Sequence, residues 1–297
     1  MSTPGTKLLS PVAIAAGIVA LAPVALAGGF HHKETRELTA PHVEASPIHV
    51  EARNGSISIA AYDGEQVRVS ARLMSKSERR LEEAVVVVER VGETRTLTIR
   101  CEWPRGKHNG NDACSFEILV PDAHGVVAET SNGSISITDL SGALTADTSN
   151  GSINVTKHEG PVAADTSNGS IVLTGILGAV SADTSNGSIV LEGVGGSVSA
   201  DTSNGSISVV LTDDNPGPVA LDTHHGSITL EVGAAFAGTV EADTGMGRFH
   251  VGPFPEGMSV EIVSKKKTEG TVVFGGKKSP RSVVDTSFGS VIVRGRS

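Results

Sequence analysis

The feature that most constrains this chain is the octapeptide A-D-T-S-N-G-S-I, which occurs four times between 146 and 207 at a fixed interval of 18 residues. The acidic position of the repeat falls at Glu129, then every 18 residues as far as Asp201, and after two steps of 21 at Asp222 and Asp243. Fainter copies occur at 50–59, 269–274 and 283–293. A short fixed period is typical of a solenoid, in which each repeat buries its apolar side only against the next repeat.

Alternation within one repeat predicts which side chains are buried. In the strand that begins at Val198, one parity is predicted to face the interior, and its members are Val198, Ala200, Thr202 and Asn204. Asp201 has the other parity and is predicted to face solvent. The apolar phase changes after Gly205, so 204–206 is predicted to form a sharp corner. The fold class is therefore an all-β, single-chain β-solenoid, similar to a β-helix or β-roll, with coils of 18–21 residues.

The repeated asparagines are predicted to form a ladder inside the corner. Coils about 4.8 Å apart bring equivalent residues into columns, and stacked amides hydrogen-bond from coil to coil. The members of this structural ladder are Asn132, Asn150, Asn168, Asn186 and Asn204. Asn-Gly-Ser, which also occurs at Asn54, is an N-glycosylation acceptor pattern as well. Acceptors must be exposed and glycans on successive coils would collide, so the sequence favours the ladder.

The repeated aspartates are predicted to form an outward acidic column. The members of this column are Asp147, Asp165, Asp183 and Asp201. Each carboxylate can accept hydrogen bonds from the backbone N–H groups of its own turn, or the column can bind a cation such as calcium. The calcium-binding pattern GGxGxDxUx is absent and each coil contributes one acid, so turn capping is favoured and cation binding stays open.

Composition divides the chain into four segments. Residues 1–27 have an apolar run that ends in Ala-Leu-Ala, which predicts a signal peptide. An uncleaved membrane anchor is disfavoured because Pro11 and Pro23 interrupt a run that is short for a bilayer. The next segments are a flexible lead-in at 28–44, a strand-rich N-terminal part of the solenoid at 45–121, and the repeats with a C-terminal cap at 122–297.

The strand-rich part contains both cysteines of the chain. Its alternating runs are predicted to be antiparallel strands, with a helical turn at 76–84. Cys101 and Cys114 stand at the two ends of a polar, turn-rich segment, which predicts a hairpin with a cysteine at each shoulder. In an oxidising compartment this pair is expected to form a disulfide, and the absence of a CxxC pattern disfavours redox or metal chemistry.

Composition and motif order also restrict the function. A net charge of −9 disfavours nucleic acid as a partner. The order of a signal peptide, TLTIRCEWP, FEILVPDAHGV and tandem T-S-N-G-S-I-x-V repeats resembles the bacterial "putative adhesin" family of domains of unknown function. The resemblance covers roughly residues 45–297 and implies a β-solenoid of the cell envelope with an adhesive or structural role. It implies no catalytic residues and no cofactor.

The sequence therefore predicts a non-enzymatic exported protein that is periplasmic, attached to the cell surface or secreted. Its expected partner is an envelope polymer or protein, engaged by many equivalent weak contacts, and no stable membrane insertion is expected after signal cleavage. The alternative is a carbohydrate-active lyase or hydrolase on a β-helix, which needs acids opposed across a cleft or paired with a basic residue. Lys157 is the only Lys or Arg from 126 to 247, so the irregular stretches 104–113 and 252–283 are the places for such a site.

Overall fold

A computed structural model describes residues 18–19, 32–93, 95–105, 112–276 and 280–296, with the backbone alone at 18–19. The predicted signal peptide lies outside the described residues, except for these two. The described part of the chain forms 25 β-strands and one short α-helix. Within that part, no helix is both long and apolar enough to cross a bilayer.

The elements fall into three groups along the chain. The N-terminal elements are β1 (Ile18–Val19), β2 (His32–Pro41), β3 (Ile48–Asn54), β4 (Ile57–Ala61), β5 (Gln66–Ser75), α1 (Glu78–Glu83), β6 (Val85–Val91), β7 (Thr96–Glu102) and β8 (Ala113–Val120). The repeat strands are β9 (His124–Asn132), β10 (Ile135–Asn150), β11 (Ile153–Glu159), β12 (Val162–Asn168), β13 (Ile171–Ile176), β14 (Val180–Asn186), β15 (Ile189–Val194), β16 (Val198–Asn204), β17 (Ile207–Leu211), β18 (Val219–His225) and β19 (Ile228–Val232). The C-terminal strands are β20 (Gly238–Asp243), β21 (Phe249–Val251), β22 (Val260–Lys265), β23 (Glu269–Phe274), β24 (Arg281–Phe288) and β25 (Val291–Gly295).

The strands wrap into two faces of a solenoid, and each coil contributes one strand to each face. The first face contains, in order, β6, β7, β3, β9, the second half of β10, β12, β14, β16, β18, β24, β20, β23 and β22. The second face contains β1, β2, β5, β8, β4, the first half of β10, β11, β13, β15, β17, β19, β25 and β21. Repeat strands pair in parallel and in register, which confirms the predicted β-solenoid.

The core is a thin apolar layer between the two faces, because the residues of one parity in each repeat strand are buried. On the first face this layer contains small side chains such as Ala146, Ala164 and Ala182, each at most 2% exposed. On the second face it contains larger ones such as Ile153 and Ile171, which are fully buried. Alternating small and large columns fill the interior with few aromatic residues.

The corner glycines are required because adjacent coils approach closely there. A Cβ atom on Gly187 would lie 2.0 Å from the carbonyl oxygen of Gly169, which belongs to the coil before it. On Gly151 it would lie 2.1 Å from the carbonyl oxygen of Gly133. No side chain fits at such a distance, so the recurrent glycine permits the stacking of the corner backbones.

At both ends the stacking order differs from the chain order. The coil of β3 and β4 lies between the coil of β7 and β8 and the repeats that begin with β9. The last coil, β24 and β25, lies between β18 and β19 on one side and β20 and β21 on the other. The faint sequence copies at 50–59 and 283–293 are therefore full coils in the middle of the stack.

The structure corrects two sequence-based predictions for the N-terminal part and confirms a third. The prediction of a flexible lead-in at 28–44 is wrong for its described residues, which begin at 32, because β2 pairs with all ten residues of β5. The hairpin between the cysteines is wrong as well. β7 pairs with β3 and β6, and β8 pairs with β4 and β5, so the two strands that flank the segment lie on different faces and do not pair with each other. The predicted helical turn is confirmed as α1, which Ser77 caps by accepting a hydrogen bond from the Arg80 backbone N–H.

Candidate functional site: the carboxylate face

The first face carries a continuous column of carboxylates. Strand register places one acid of each coil directly beside that of the next, in the order Glu51, Glu129, Asp147, Asp165, Asp183, Asp201, Asp222, Asp285 and Asp243. All are exposed except Asp285, which is half-buried. The column extends beyond the four predicted aspartates at both ends, and two of its further members, Glu51 and Asp285, come from the interposed coils.

Partial burial and the neighbouring charges of the column raise the pKa values of two of its members. Partial burial, together with the charges of Asp183 and Asp147, raises the pKa of Asp165. Partial burial and the charges of Asp222 and Asp183 raise the pKa of Asp201. The column is therefore a place where the folded chain favours protons or external cations over a bare row of carboxylates.

The surroundings of the column are short and polar, so the face is flat. The position two residues after the carboxylate is an exposed serine in four consecutive coils, namely Ser149, Ser167, Ser185 and Ser203. The position two residues before the carboxylate is also small, as in Ala163 and Ser181. Lys157, the one basic residue in this part of the sequence, lies on β11 of the other face. The carboxylate face consequently has a strongly negative potential.

The asparagine ladder borders this face, but it is not inside the corner. Each side-chain amide donates from Nδ2 to Oδ1 of the previous coil, at 2.6 Å from Asn132 to Asn54 and 2.9 Å from Asn150 to Asn132. The same contact recurs at 3.0, 3.1 and 3.0 Å for Asn168, Asn186 and Asn204. The side chains of Asn132, Asn150, Asn168, Asn186 and Asn204 are exposed, so their predicted inward direction is wrong. Their exposure also removes the burial argument against glycosylation, and only the crowding of successive acceptors opposes it.

Buried threonines hydrogen-bond the corner backbone, which is the role that the sequence predicted for the asparagines. Thr184 is 1% exposed, and its Oγ1 donates to the carbonyl oxygen of Gly169 at 3.0 Å. The contact recurs in the neighbouring coils, for example from Thr166 to Gly151 at 3.0 Å. Parity already indicated that threonine faces inward, and the residue is the last inward position before the strand opens into the corner. The hydroxyl therefore satisfies the corner carbonyl, and the asparagine is free to lie outside.

The ladder ends in aromatic residues near the C-terminal end of the column. His225 and Phe288 take the place of asparagine in two successive coils. Their rings stack with centroids 4.9 Å apart and an interplanar angle of 7°, and His224 meets Phe288 edge-on. Ring stacking replaces the amide hydrogen bonds of the central coils there.

Two clefts lie at the irregular stretches that the sequence analysis singled out. The first, of about 400 Å³, is lined by Glu51, Arg53, Asn54, Arg100, Cys101, Glu102, Trp103 and Asp112. The second, of about 290 Å³, contains Asp243, Glu269 and Asp285 beside Arg281. Several of their acids are engaged in ion pairs of the fold. In the first cleft Arg100 binds Glu102 at 2.9 Å and Arg80 binds Asp112 at 2.7 Å, and in the second Lys266 binds Glu269.

Neither a metal centre nor a disulfide is formed by the described residues. No group of three or more His, Cys, Asp or Glu in the described ranges is placed to hold a metal ion, and cation binding by the column stays a prediction. Cys101 and Cys114 are free thiols on opposite faces of one coil. A hydrogen bond with Cys101, together with burial, raises the pKa of the Cys114 thiol. Their pairing on export stays a prediction.

Three solved structures are similar to this chain at low sequence identity. No curated protein is significantly similar to the chain. A solved "putative adhesin" from Bacteroides fragilis is similar over 89% of this chain and 97% of its own, with 12% identity and a TM-score of 0.47. A "putative cell adhesion protein" from Clostridium sporogenes has 8% identity and a TM-score of 0.22 over 89% of this chain and 100% of its own. A "putative lipid binding protein" from Parabacteroides distasonis has 13% identity and a TM-score of 0.34 over 89% and 97%.

A match to a protein family agrees with the sequence resemblance. Residues 45–287 match the family described as Toastrack DUF4097. This range begins just before β3 and ends within β24, so it includes both interposed coils in part or whole and all the central repeats. Because the match spans most of its length, this chain belongs to the Toastrack DUF4097 family.

Proposed function

We propose that the protein is an exported, non-enzymatic binding protein of the cell envelope, with an adhesin-like or structural role. The observation that carries the proposal is the carboxylate column on a flat, exposed face. Equivalent charges repeated once per coil offer many weak contacts to one extended partner, and such contacts add up through avidity. Export is supported by the signal-peptide pattern at 1–27.

The partner that fits this face is a protein or polymer with repeated cationic groups. Each coil presents one carboxylate with serine and asparagine beside it, so an approaching ammonium or guanidinium group meets acceptors of both kinds. Binding of this type depends on ionic strength, because exposed charges are screened over about 8 Å at physiological salt.

The test uses the full mature chain, polylysine as the cationic probe and uncharged dextran as the reference, with affinity measured calorimetrically. Exchanging three column members for their amides (Asp165→Asn, Asp183→Asn and Asp201→Asn) should weaken polylysine binding at least tenfold. A matched control removes three carboxylates away from the column (Glu117→Gln, Glu159→Gln and Glu192→Gln) and should weaken it less than twofold. Equal losses in both variants would show that net charge alone attracts the probe, and the proposal would then be wrong.

The same preparation separates the binding role from the carbohydrate-active alternative. The chain is incubated with anionic and neutral polysaccharides, and new reducing ends and unsaturated products are measured. Release of either product at a rate that depends on protein concentration would overturn the non-enzymatic assignment. Loss of that release on exchanging Asp285 for asparagine would locate the chemistry in the second cleft.

A further inference from the structure

Charge is distributed very unevenly along the solenoid. The sequence from 123 to 247 has 14 acidic residues and a single basic one, Lys157. The sequence from 248 to 297 has nine basic residues and four acidic ones. An acidic shaft therefore ends in a basic C-terminal cap.

Several cations of the cap are already paired. Arg281 binds Glu241, Arg294 binds Glu231 and Lys266 binds Glu269. Among the described residues, Arg248, Lys265 and Lys267 have no carboxylate within ion-pair distance. The backbone brings Arg248 and Lys267 close together, because the N–H of Phe249, which follows Arg248, donates to the Lys267 carbonyl oxygen at 2.9 Å.

Exposed apolar side chains accompany these unpaired cations. Val263 is 58% exposed and Ile262 is 49% exposed, and both lie on β22, the outermost strand of the first face. Met246 is 75% exposed in the turn that ends at Gly247, beside the segment that contains Arg248. We call this surface the basic tip and define it as Met246, Arg248, Ile262, Val263, Lys265 and Lys267.

We propose that the basic tip docks the solenoid end-on onto an anionic phospholipid surface. Cations beside exposed aliphatic groups are the combination that binds such a surface, because ammonium and guanidinium groups pair with lipid phosphates while the aliphatic groups enter the acyl boundary. The acidic shaft is repelled by the same surface, so the rod stands upright and the carboxylate column extends away from the lipid along the rod. The proposal goes beyond the proposed function, since it concerns the cap and holds whatever the face binds.

An anionic polymer is the competing occupant, and the aliphatic side chains argue against it. A soluble polyphosphate or polyuronate would pair with Arg248 and the lysines, but it would leave Ile262 and Val263 in water. A second copy of the chain, offering its acidic shaft to the tip, would leave them in water as well.

The test is co-sedimentation of the full mature chain with vesicles of phosphatidylcholine, with and without phosphatidylglycerol. Binding should require phosphatidylglycerol and should fall with added salt. Exchanging Lys265 and Lys267 for glutamine should weaken partitioning at least tenfold, since each lysine near the surface contributes about a fivefold factor. Exchanging Ile262 and Val263 for serine should also weaken it severalfold, and the shaft variant Lys157→Gln should leave it unchanged.

Circular dichroism and thermal melting show whether each variant is folded, and these side chains are exposed, so no loss of fold is expected. Equal binding to neutral vesicles would overturn the proposal. So would displacement by polyphosphate combined with full binding of the serine variant, which would identify an anionic polymer as the occupant. Sedimentation velocity without lipid supplies the last arm, because concentration-dependent association that the lysine exchange abolishes would identify a second copy.

Discussion

The central coils and the two ends of this solenoid use the same repeat under different constraints. From β9 to β19 the chain order is the stacking order, and each corner repeats serine, asparagine and glycine with little change. At the ends an early and a late coil are interposed, and the corner carries Cys114 or Phe288. A coil between two identical repeats must match both of them. Towards the ends the neighbours differ, because β8, which carries Cys114, pairs with the antiparallel strand β5 on one side, and Phe288 stacks on His225 instead of on an asparagine. Strict repetition is thus a requirement of the stack rather than of a ligand.

Corner glycine gives the largest expected effect and tests this comparison directly. Gly187→Ala should destabilise the protein by about 3 kcal/mol or more, because the new Cβ atom would lie 2.0 Å from a backbone oxygen that cannot move alone. Gly195→Ala in the opposite corner of the same coil is the control, since its nearest neighbour would be 3.5 Å away. Chemical denaturation measures both, and similar losses would contradict the close-stacking explanation.

The cysteine pair tests the terminal coil. Cys114 occupies the corner position that glycine has elsewhere, with its own carbonyl oxygen 2.1 Å from a Cβ on Gly55 and no repeat coil on its other side. Oxidised glutathione should convert the two thiols into a disulfide, with the two electrons passing to glutathione, and should stabilise the folded chain by about 2–3 kcal/mol. Mass spectrometry after alkylation without reductant counts the free thiols. Two remaining thiols in exported protein would refute the pairing.

Substitutions in the buried threonine column and in the exposed asparagine column should cost less stability than the corner glycine, and the threonine substitution should cost more than the asparagine one. Thr184→Val should cost about 1–2 kcal/mol, because the Gly169 carbonyl oxygen loses a buried donor. Asn186→Ala should cost about 0.5 kcal/mol or less, because water replaces an exposed amide contact. Denaturation midpoints of the two variants decide the order. The reverse order would restore the inward asparagine that the sequence suggested.

The repeating unit could be predicted well from the sequence and the two ends of the solenoid poorly, for a physical reason. Alternation reports burial within a straight strand, so Val198, Ala200 and Thr202 were placed correctly in the core. It fails where the strand opens into a corner, which is why Asn204 was placed inside. Parity also cannot reveal that a glycine is needed for a backbone contact in the previous coil.

Stacking order was beyond the sequence as well. The 18-residue period predicts a neighbour one repeat away, and this holds from Asp147 to Asp201. It does not predict that Asp222 lies beside Asp285 rather than Asp243, because that choice is made by contacts between distant segments. The same long-range pairing makes β2 a strand although its sequence shows no clear period.

Two kinds of titratable group in the shaft, the column aspartates and His158, should have the smallest effects on stability. The pH dependences that they give to stability have opposite signs. Partial burial, and next the repulsion of neighbouring aspartates, raise the pKa values of Asp165 and Asp201, so the folded state binds protons more tightly than the unfolded state. Their contribution to stability is therefore most unfavourable at neutral pH and is relieved as the pH falls through the raised pKa values. Asp183→Asn removes a charge that acts on both, and should raise stability at neutral pH by roughly a few tenths of a kcal/mol at physiological salt.

His158 has the reverse dependence and supplies the contrast within the same coils. It is fully buried, its Nε2 lies 2.8 Å from the Gly142 carbonyl oxygen, and its Nδ1 has no partner among the described residues. Burial lowers its pKa, so stability is lost as the pH falls below the ordinary histidine value of about 6.5. His158→Leu matches its column neighbours Leu140 and Ile176, and should flatten the acid side of the stability profile. Asp183→Asn should change only the relief at lower pH. If denaturation midpoints between pH 4 and 8 shift in parallel for both variants, the two columns do not titrate independently, and the separate roles given to the core and the carboxylate face would be wrong.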